Sequence, residues 1–265
     1  MDVTMMYNEY MNGKSLNTLS KELHKDTRTI KKLFVNNDLK LKSSSESNRK
    51  YNIKEDYFDI IDSEDKAYFL GFLYADGYND TNRGAVNLSL MEKDKEILEV
   101  LNNILQPTKP LQFVNATKSN KQNQYRLVIA NQHISNQLVT LGCSKTKTFN
   151  IIFPTEKQVP SHLIHHFIRG VFDGDGCISI YKIGNYSKSN VSIISTISFL
   201  ENLELFLIKE LNFNKVKLIE RFPERNTNIR ALCYSGKNRC KDFGNWLYRD
   251  ATIFLKRKKE KFDLL

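Results

Sequence analysis

Hydrophobic residues recur at helical or strand spacing along most of this chain, but two segments are apolar almost throughout. They are residues 69–77, Phe-Leu-Gly-Phe-Leu-Tyr-Ala-Asp-Gly, and residues 168–176, Ile-Arg-Gly-Val-Phe-Asp-Gly-Asp-Gly. Each reads as a buried helix with small residues four apart, Gly71 with Ala75 and Gly170 with Gly174, leaving a smooth stripe on which a second backbone can lie close. Each ends in Asp-Gly, and that glycine is expected just past the helix end in the left-handed conformation that stops a helix. Asp76 and Asp175, 99 positions apart, are thereby placed at two helix feet.

The pattern around each run is similar. Ser63 is expected to cap the first helix, with Glu64 and Asp65 in its opening turn. A polar turn at 79–84 leads to a strand over 85–90, with Val86, Leu88 and Leu90 turned to a core and Asn87 and Ser89 turned out. Asp94 opens a helix, strands follow near 111–116 and 125–130, and a helix near 134–141 closes the set. The order then repeats. A helix runs from Pro160 and Ser161 to Asp175, strands follow at 177–183 and 191–196, and a helix covers 200–211. Strands at 215–221 and 229–234 lead to a helix from Asp242 to about Lys259. The expected fold class is α+β: two αββαββα repeats, 63–157 and 158–265, each a sheet covered by helices on one face, with the other face left to something polar. Two such halves pack about a pseudo-twofold axis, and the two smooth helices are suited to lie on it.

Residues 1–42 read as a small all-α domain with helices near 4–11, after Ser15, and after residues 24–26. In the last, Ile30, Leu33 and Phe34 face inward while Arg28, Lys31 and Lys32 face outward. This resembles a helix-turn-helix, whose second helix enters the major groove of DNA. A basic three-helix adaptor is the alternative reading. Residues 43–62, Ser-rich and polar at their start, read as a linker.

Composition narrows the partner. Forty Lys and Arg stand against 30 Asp and Glu, a net charge of +10 that suits a polyanion such as nucleic acid. The four cysteines show no metal-finger spacing and read as reduced thiols in a cytosol-like compartment, bacterial or phage-encoded, with an organelle as the alternative. No run approaches the ~20 apolar residues that cross a bilayer. With the halves packed on the twofold, Asp76 lies beside Asp175. Two such carboxylates stay ionised together by sharing a divalent cation, or else share a proton. Oxygen ligands without His or Cys favour Mg²⁺ (or Mn²⁺) over zinc. Beside a basic, strand-lined surface, the implied substrate is a phosphodiester. His165 and His166 stand about two turns before Asp175 and read as packing or surface residues. The lysine cluster of residues 256–261 reads as a helix with one packed face whose charges touch DNA.

The two runs, their spacing, the repeated element order, and the phrases Leu-Gly-Cys-Ser-Lys-Thr-Lys-Thr at 141–148 and Leu-Lys-Arg-Lys-Lys at 255–259 resemble the double-motif LAGLIDADG homing endonucleases. The resemblance covers about residues 63–265. It implies a monomer whose two sheets form a saddle over double-stranded DNA and make a metal-dependent double-strand break, with metal held by Asp76 and Asp175. It gives Tyr74 and Asp173 the motifs' first acidic position, which is not the essential one, and leaves Asp173 a structural or electrostatic role. It implies a lysine or glutamine near each scissile phosphate, for which Lys93 and Lys147 are the first-half candidates and Lys258 the second-half one; Ser195 and Thr196 stand where a further such residue would follow the second-half strand. Sequence reading is expected from outward strand residues Asn87, Ser89, Arg126, Ser179, Tyr181, Lys215, Lys217 and Arg230. A non-cleaving RNA maturase or DNA-binding regulator on the same fold is the alternative. Two adjacent negative charges facing a polyanion favour cleavage over either.

Overall fold

The computed structural model describes residues 2–42, 51–117, 122–184, 186–220 and 227–265. The chain divides into two compact units, Met1–Asn52 and Ile53–Leu265. In the first, α1 (Val3–Met11), α2 (Leu16–Leu23) and α3 (Thr27–Asn36) enclose a core of Met6, Tyr10, Leu19, Ile30 and Phe34. The Ser15 hydroxyl accepts the Thr18 N–H and the Asp26 carboxylate accepts the Arg28 N–H, so α2 and α3 each start with one free backbone donor satisfied. Arg28, Lys31 and Lys32 lie exposed on α3. No helix among the described residues is long and apolar enough to cross a membrane, and Cys143, Cys177, Cys233 and Cys240 form no disulfide.

The second unit is α+β. Its first half comprises α4 (Glu64–Asp76), β1 (Gly77–Asp80), β2 (Ala85–Met91), α5 (Lys95–Leu105), β3 (Gln112–Val114), β4 (Gln124–Ala130) and α6 (Gln132–Thr140). The second half repeats the order with α7 (Ile164–Asp175), β5 (Cys177–Ile183), β6 (Tyr186–Thr196), α8 (Ile197–Leu211), β7 (Ile219–Glu220), β8 (Ile229–Ser235), α9 (Lys237–Leu247) and α10 (Lys256–Asp263). The strands form two antiparallel four-stranded sheets, ordered β1-β2-β4-β3 and β5-β6-β8-β7. Alternation along β2 and β4 buries Val86, Leu88, Leu90, Leu127 and Ile129 under α5 and α6. The opposite face carries Asn87, Ser89 and Arg126.

α4 and α7 pack along their length in the centre of this unit. A Cβ on Gly71 would run into the Phe167 carbonyl of α7, one on Gly170 into the Tyr68 carbonyl of α4, and one on Gly174 into Ala75. The two backbones therefore touch where side chains would separate them. Residues 67–74 and 164–173 are buried around this seam. Tyr74 meets Phe167 edge-on, 4.9 Å between ring centroids, and the Arg169 guanidinium reaches Glu64 across the seam at 2.5 Å.

Several expectations shift. Gly77 (φ −72°) and Gly176 (φ −78°) leave the helices in an extended conformation, not a left-handed one. They are glycines because a Cβ there would strike the preceding turn, at Leu73 and Phe172 respectively. Asn79 is a buried strand residue rather than part of the turn, its amide donating to the Ser135 and Cys143 carbonyls at 2.9 Å each. Ser63 stands at the N-cap position of α4, but its hydroxyl donates to Asp65 instead of capping the helix. The expected linker 43–62 ends early: residues 43–50 lie outside the described residues, and Tyr57, Phe58 and Ile61 are buried in the core. Lys215 and Lys217 precede β7 on an irregular segment, held where Glu204 accepts the Val216 N–H at 2.6 Å; the expected end of that strand, Arg221, lies outside the described residues. The single helix expected from Asp242 to Lys259 is two helices. Asp250, at φ +56°, turns the chain between them so that Thr252, Ile253 and Leu255 dock against Glu64, Arg169 and Asp173.

His165 and His166 are buried packing residues, with ring centroids 3.8 Å apart. His166 Nδ1 accepts from Arg169 at 2.7 Å, and neither ring nitrogen of His165 has a hydrogen-bond partner among the described residues. Burial first, then neighbouring positive charge, lowers His165 to about 3 and His166 to about 4.

Two outcomes follow. Gly71→Ala or Gly170→Ala forces the seam apart and should cost about 3 kcal/mol in urea unfolding, whereas Leu205→Ala on the exposed side of α8 should cost at most about 0.5 kcal/mol. The native state holds His165 neutral while the unfolded chain protonates it below about pH 6.5, so its contribution to stability falls as pH drops from there toward 3. Urea unfolding of wild type against His165→Phe should show their stability difference moving in favour of the variant by about 1.4 kcal/mol per pH unit over that window.

Candidate active site at the feet of the seam helices

Because the seam aligns α4 and α7, their last residues end together. Asp76 Oδ2 lies against Gly174, 3.2 Å from where a Cβ on that glycine would stand, one residue from Asp175. Both carboxylates reach solvent, yet the surrounding protein excludes enough water to disfavour their charged forms. Burial, then the Asp175 charge, raises Asp76 to about 6, with Lys147, Lys258 and Arg257 opposing. Asp175 is raised by burial, with Lys147 and Lys258 opposing.

Two lysines hold these helix feet. Lys147, on the short 3₁₀ turn Lys147–Phe149, donates to the carbonyls of Tyr74 at 2.6 Å and Ala75 at 2.8 Å. Lys258 on α10 shares its protons among the carbonyls of Phe172, Asp173, Gly174 and Gly176 at 2.6, 2.7, 3.2 and 2.7 Å. Each places a positive charge where the last carbonyls of a helix lack intrahelical donors. Burial lowers both, Lys258 to about 8. Both feel the charges of Asp76 and Asp175.

The position two residues before each aspartate fastens the segment that carries the lysine. In the first half the Tyr74 hydroxyl donates to the Leu141 carbonyl. Gly142, at φ +102°, lets the chain pass there, since a Cβ would collide with that hydroxyl. In the second half Asp173 accepts the Leu255 N–H at 2.8 Å and the Tyr68 hydroxyl at 2.9 Å. Asp173 is almost wholly buried, and burial raises it to about 6. A donor in one half and an acceptor in the other thus do one task, tying helix foot to lysine segment.

The remaining sequence candidates scatter. Lys93 is exposed on the 3₁₀ turn Glu92–Asp94 and lines a groove of about 240 Å³ with Phe254, Lys256 and Arg257; it is not among the cations acting on Asp76. Arg257 is, and it is the residue that sequence reasoning passed over. Its guanidinium is clamped bidentately by Asp94 at 2.9 and 3.0 Å, although Asp94 was expected only to open a helix. The signal was available in the basic run around Lys258, but its partner lies 163 positions away. Asn87, Ser89 and Arg126 share the uncovered face of the first sheet, with Arg126 Nε donating to Ser89 at 3.0 Å. Ser179 and Tyr181 lie on the corresponding face of the second. Arg230 does not: it pairs with Ser195 on the side of Ile193 and Leu232, facing the helices, and is engaged by Glu220 at 3.0 Å. A one-residue difference in register reverses such an assignment.

Among the described residues no three carboxylate, imidazole or thiol groups converge as a metal cluster. The pair Asp76 and Asp175 nonetheless fits Mg²⁺, which is held through one or two carboxylates and completes its shell with water and substrate phosphate. Their raised affinity for protons comes first from burial, to which the Asp175 charge adds at Asp76, and Lys147 and Lys258 oppose it in both.

No protein-family model matches the chain. Two proteins of Methanocaldococcus jannaschii are similar in sequence. An uncharacterised protein is 28% identical over 185 residues, 66% of this chain and 66% of that protein. A probable translation initiation factor IF-2 is 24% identical over 190 residues, 67% of this chain and 14% of that protein. The chain thus spans just under two thirds of the first and a seventh of the second. Among solved structures it is similar to the LAGLIDADG homing endonuclease I-LtrWI bound to target DNA, with 13% identity, 76% of this chain and 89% of that one covered, and a TM-score of 0.49. It is also similar to I-SmaMI bound to cleaved DNA, with 12% identity, 77% and 88% covered, and a TM-score of 0.48.

Lys258→Met leaves carbonyls of the α7 foot without a donor and should lower stability by about 3 kcal/mol. Lys93→Met should change it by at most about 0.5 kcal/mol. Denaturant unfolding of the two variants checks the contrast.

Proposed function

We propose that this chain is an endonuclease of the LAGLIDADG type, acting as a monomer to hydrolyse one phosphodiester in each strand at a specific DNA site. The observation that carries this reading is the pair of carboxylates, Asp76 and Asp175, open to solvent at adjoining helix feet with a buried lysine behind each. On a chain of net charge +10, a surface that only held a polyanion would gain nothing from placing two negative charges together.

Asp76 and Asp175 would hold divalent metal, which when bound supplies a water of lowered pKa and charge neutralisation at the phosphate. Each half would contribute one carboxylate to holding it and one lysine beside the strand that half serves. Lys147 and Lys258 are fixed by the helix carbonyls, so their positive charge needs no rearrangement as negative charge develops on the phosphate. Arg257, held by Asp94, adds a third cation. On the open sheet faces Asn87, Ser89, Arg126, Ser179 and Tyr181 offer hydrogen-bonding groups to major-groove edges. The repeats 63–157 and 158–265 divide this labour, and residues 1–42 add groove contacts through Arg28, Lys31 and Lys32 of α3.

Incubation with a random plasmid library should give linear product with Mg²⁺ or Mn²⁺ and none with EDTA. Asp76→Asn and Asp175→Asn should each lower cleavage of a selected site by at least about 100-fold while retaining binding in a mobility-shift assay. Metal-independent binding without a cut at any site would overturn the reading, and assisted intron splicing in its place would identify a maturase.

A further inference from the structure

We infer that the two halves contact unequal lengths of DNA, the second half reaching about four base pairs further because the β5–β6 hairpin projects beyond its sheet. This rests on the endonuclease reading. In the first half β1 and β2 pair from Gly77↔Leu88 to Asp80↔Ala85, and β4 pairs with β2 along its whole length, so the hairpin ends flush with the sheet. In the second half β5 and β6 pair from Cys177↔Ser192 out to Ile183↔Tyr186, while β8 pairs with β6 only from Asn190 onward. Four residue pairs, 180–183 with 186–189, therefore extend as a ribbon to which no third described strand pairs, the Gly236 N–H just after β8 donating to the Ser189 carbonyl at its base at 3.0 Å. At about 3.3 Å per residue the overhang is about 13 Å, or about four base pairs at 3.4 Å each.

A two-stranded ribbon is marginal in water by itself, and beyond the buried Ser189 at its base this one is exposed at Tyr181, Lys182, Tyr186, Ser187 and Lys188. Its chemistry suits a polyanion. Residues 177–192 contain Lys182 and Lys188 and no Asp or Glu, whereas the first hairpin carries Asp80, which is engaged by Lys145 and Arg83. The pairing also aims the ribbon. Tyr181 opposes Lys188 on the face that continues Ser179↔Asn190 and Cys177↔Ser192, opposite the buried Ile178 and Val191. Tyr186, 77% exposed, lies two residues from Lys188 on that same face. The surface proposed to meet the duplex thus runs without a break onto the ribbon. The occupant is the duplex flanking the cleaved site, held by the Lys188 ammonium at a phosphate and by Tyr181 and Tyr186 at the backbone or groove edge.

The test is a hydroxyl-radical footprint of the full chain, in EDTA, on a site selected by cleavage. A second protein lacking residues 180–183 and 186–189, with residues 184 and 185 joining Ser179 to Asn190, should lose about four base pairs of protection at one end only. Both proteins carry α3, so a difference between their footprints belongs to the ribbon. The double variant Tyr186→Ala with Lys188→Ala, which keeps the hairpin, should bind the full site about tenfold more weakly, with a salt dependence lower by about one. It should match wild type on a target trimmed by four base pairs at that end. An unchanged footprint for a shortened protein with native circular dichroism, or equal loss of affinity on full and trimmed targets, would overturn the inference while leaving the endonuclease reading intact. Failure to cleave any site overturns both.

Discussion

The close contact of two helix backbones at Gly71, Gly170 and Gly174 is the constraint on which the rest of the second unit depends. It is a packing requirement before it is a chemical one. Because no side chain separates α4 from α7 at these points, their C-termini arrive together, and the residue that ends each helix is an aspartate. A spacer of even one methyl at the seam would move Asp76 relative to Gly174 and Asp175. The buried aromatic residues around the seam, Tyr68, Phe72, Tyr74, Phe167 and Phe172, then fix the pair of helices by burial that glycine alone cannot supply.

The lysines show how one group serves folding and chemistry together. Lys147 and Lys258 satisfy helix-terminal carbonyls, a task that requires positive charge at the helix foot, where the aspartates also stand. The segments that deliver them are fastened from the same helices, by Tyr74 in one half and Asp173 in the other. The substitution of a phenol for a carboxylate is tolerable because the backbone group presented to it also changes, from the Leu141 carbonyl to the Leu255 N–H. What the two halves conserve between them is the tie rather than the side chain.

Element order, the seam and the position of both aspartates were legible in the sequence because each rests on local pattern: glycines four apart, alternation in β2, and Asp-Gly at the end of an apolar run. The parts that were not legible depend on partners far away in the chain. Asp94 reads locally as a helix opener, and only the fold brings it to Arg257. The segment 248–255 carries no strong breaker, yet it leaves the helix because Glu64 and Asp173 accept its N–H groups. Arg230 was assigned to the wrong face because alternation alone does not set register at a sheet end. Gly77 and Gly176 were expected for the right residue type and the wrong reason, since close approach to the preceding turn and a left-handed turn both call for glycine.

The pseudo-twofold is also incomplete in its charges. The segment 145–147 corresponds to 256–258, with Thr146 where Arg257 stands, and the first half offers only a 3₁₀ turn where the second has α10. Arg257 therefore bears on Asp76 without a first-half equivalent bearing on Asp175. The Asp175 charge nevertheless adds to burial in raising the proton affinity of Asp76. A divalent cation, were Asp76 and Asp175 to hold one, would compete with protons for the same carboxylates, and the positive charges of Lys147 and Lys258 would oppose both. On the proposed reading two demands would meet here: enough positive charge to keep both carboxylates ionised, and little enough that a divalent ion would still be attracted. Holding Lys147 and Lys258 against helix carbonyls, rather than against the carboxylates themselves, meets both, since their charge is felt at the aspartates without occupying the oxygens that a metal would need.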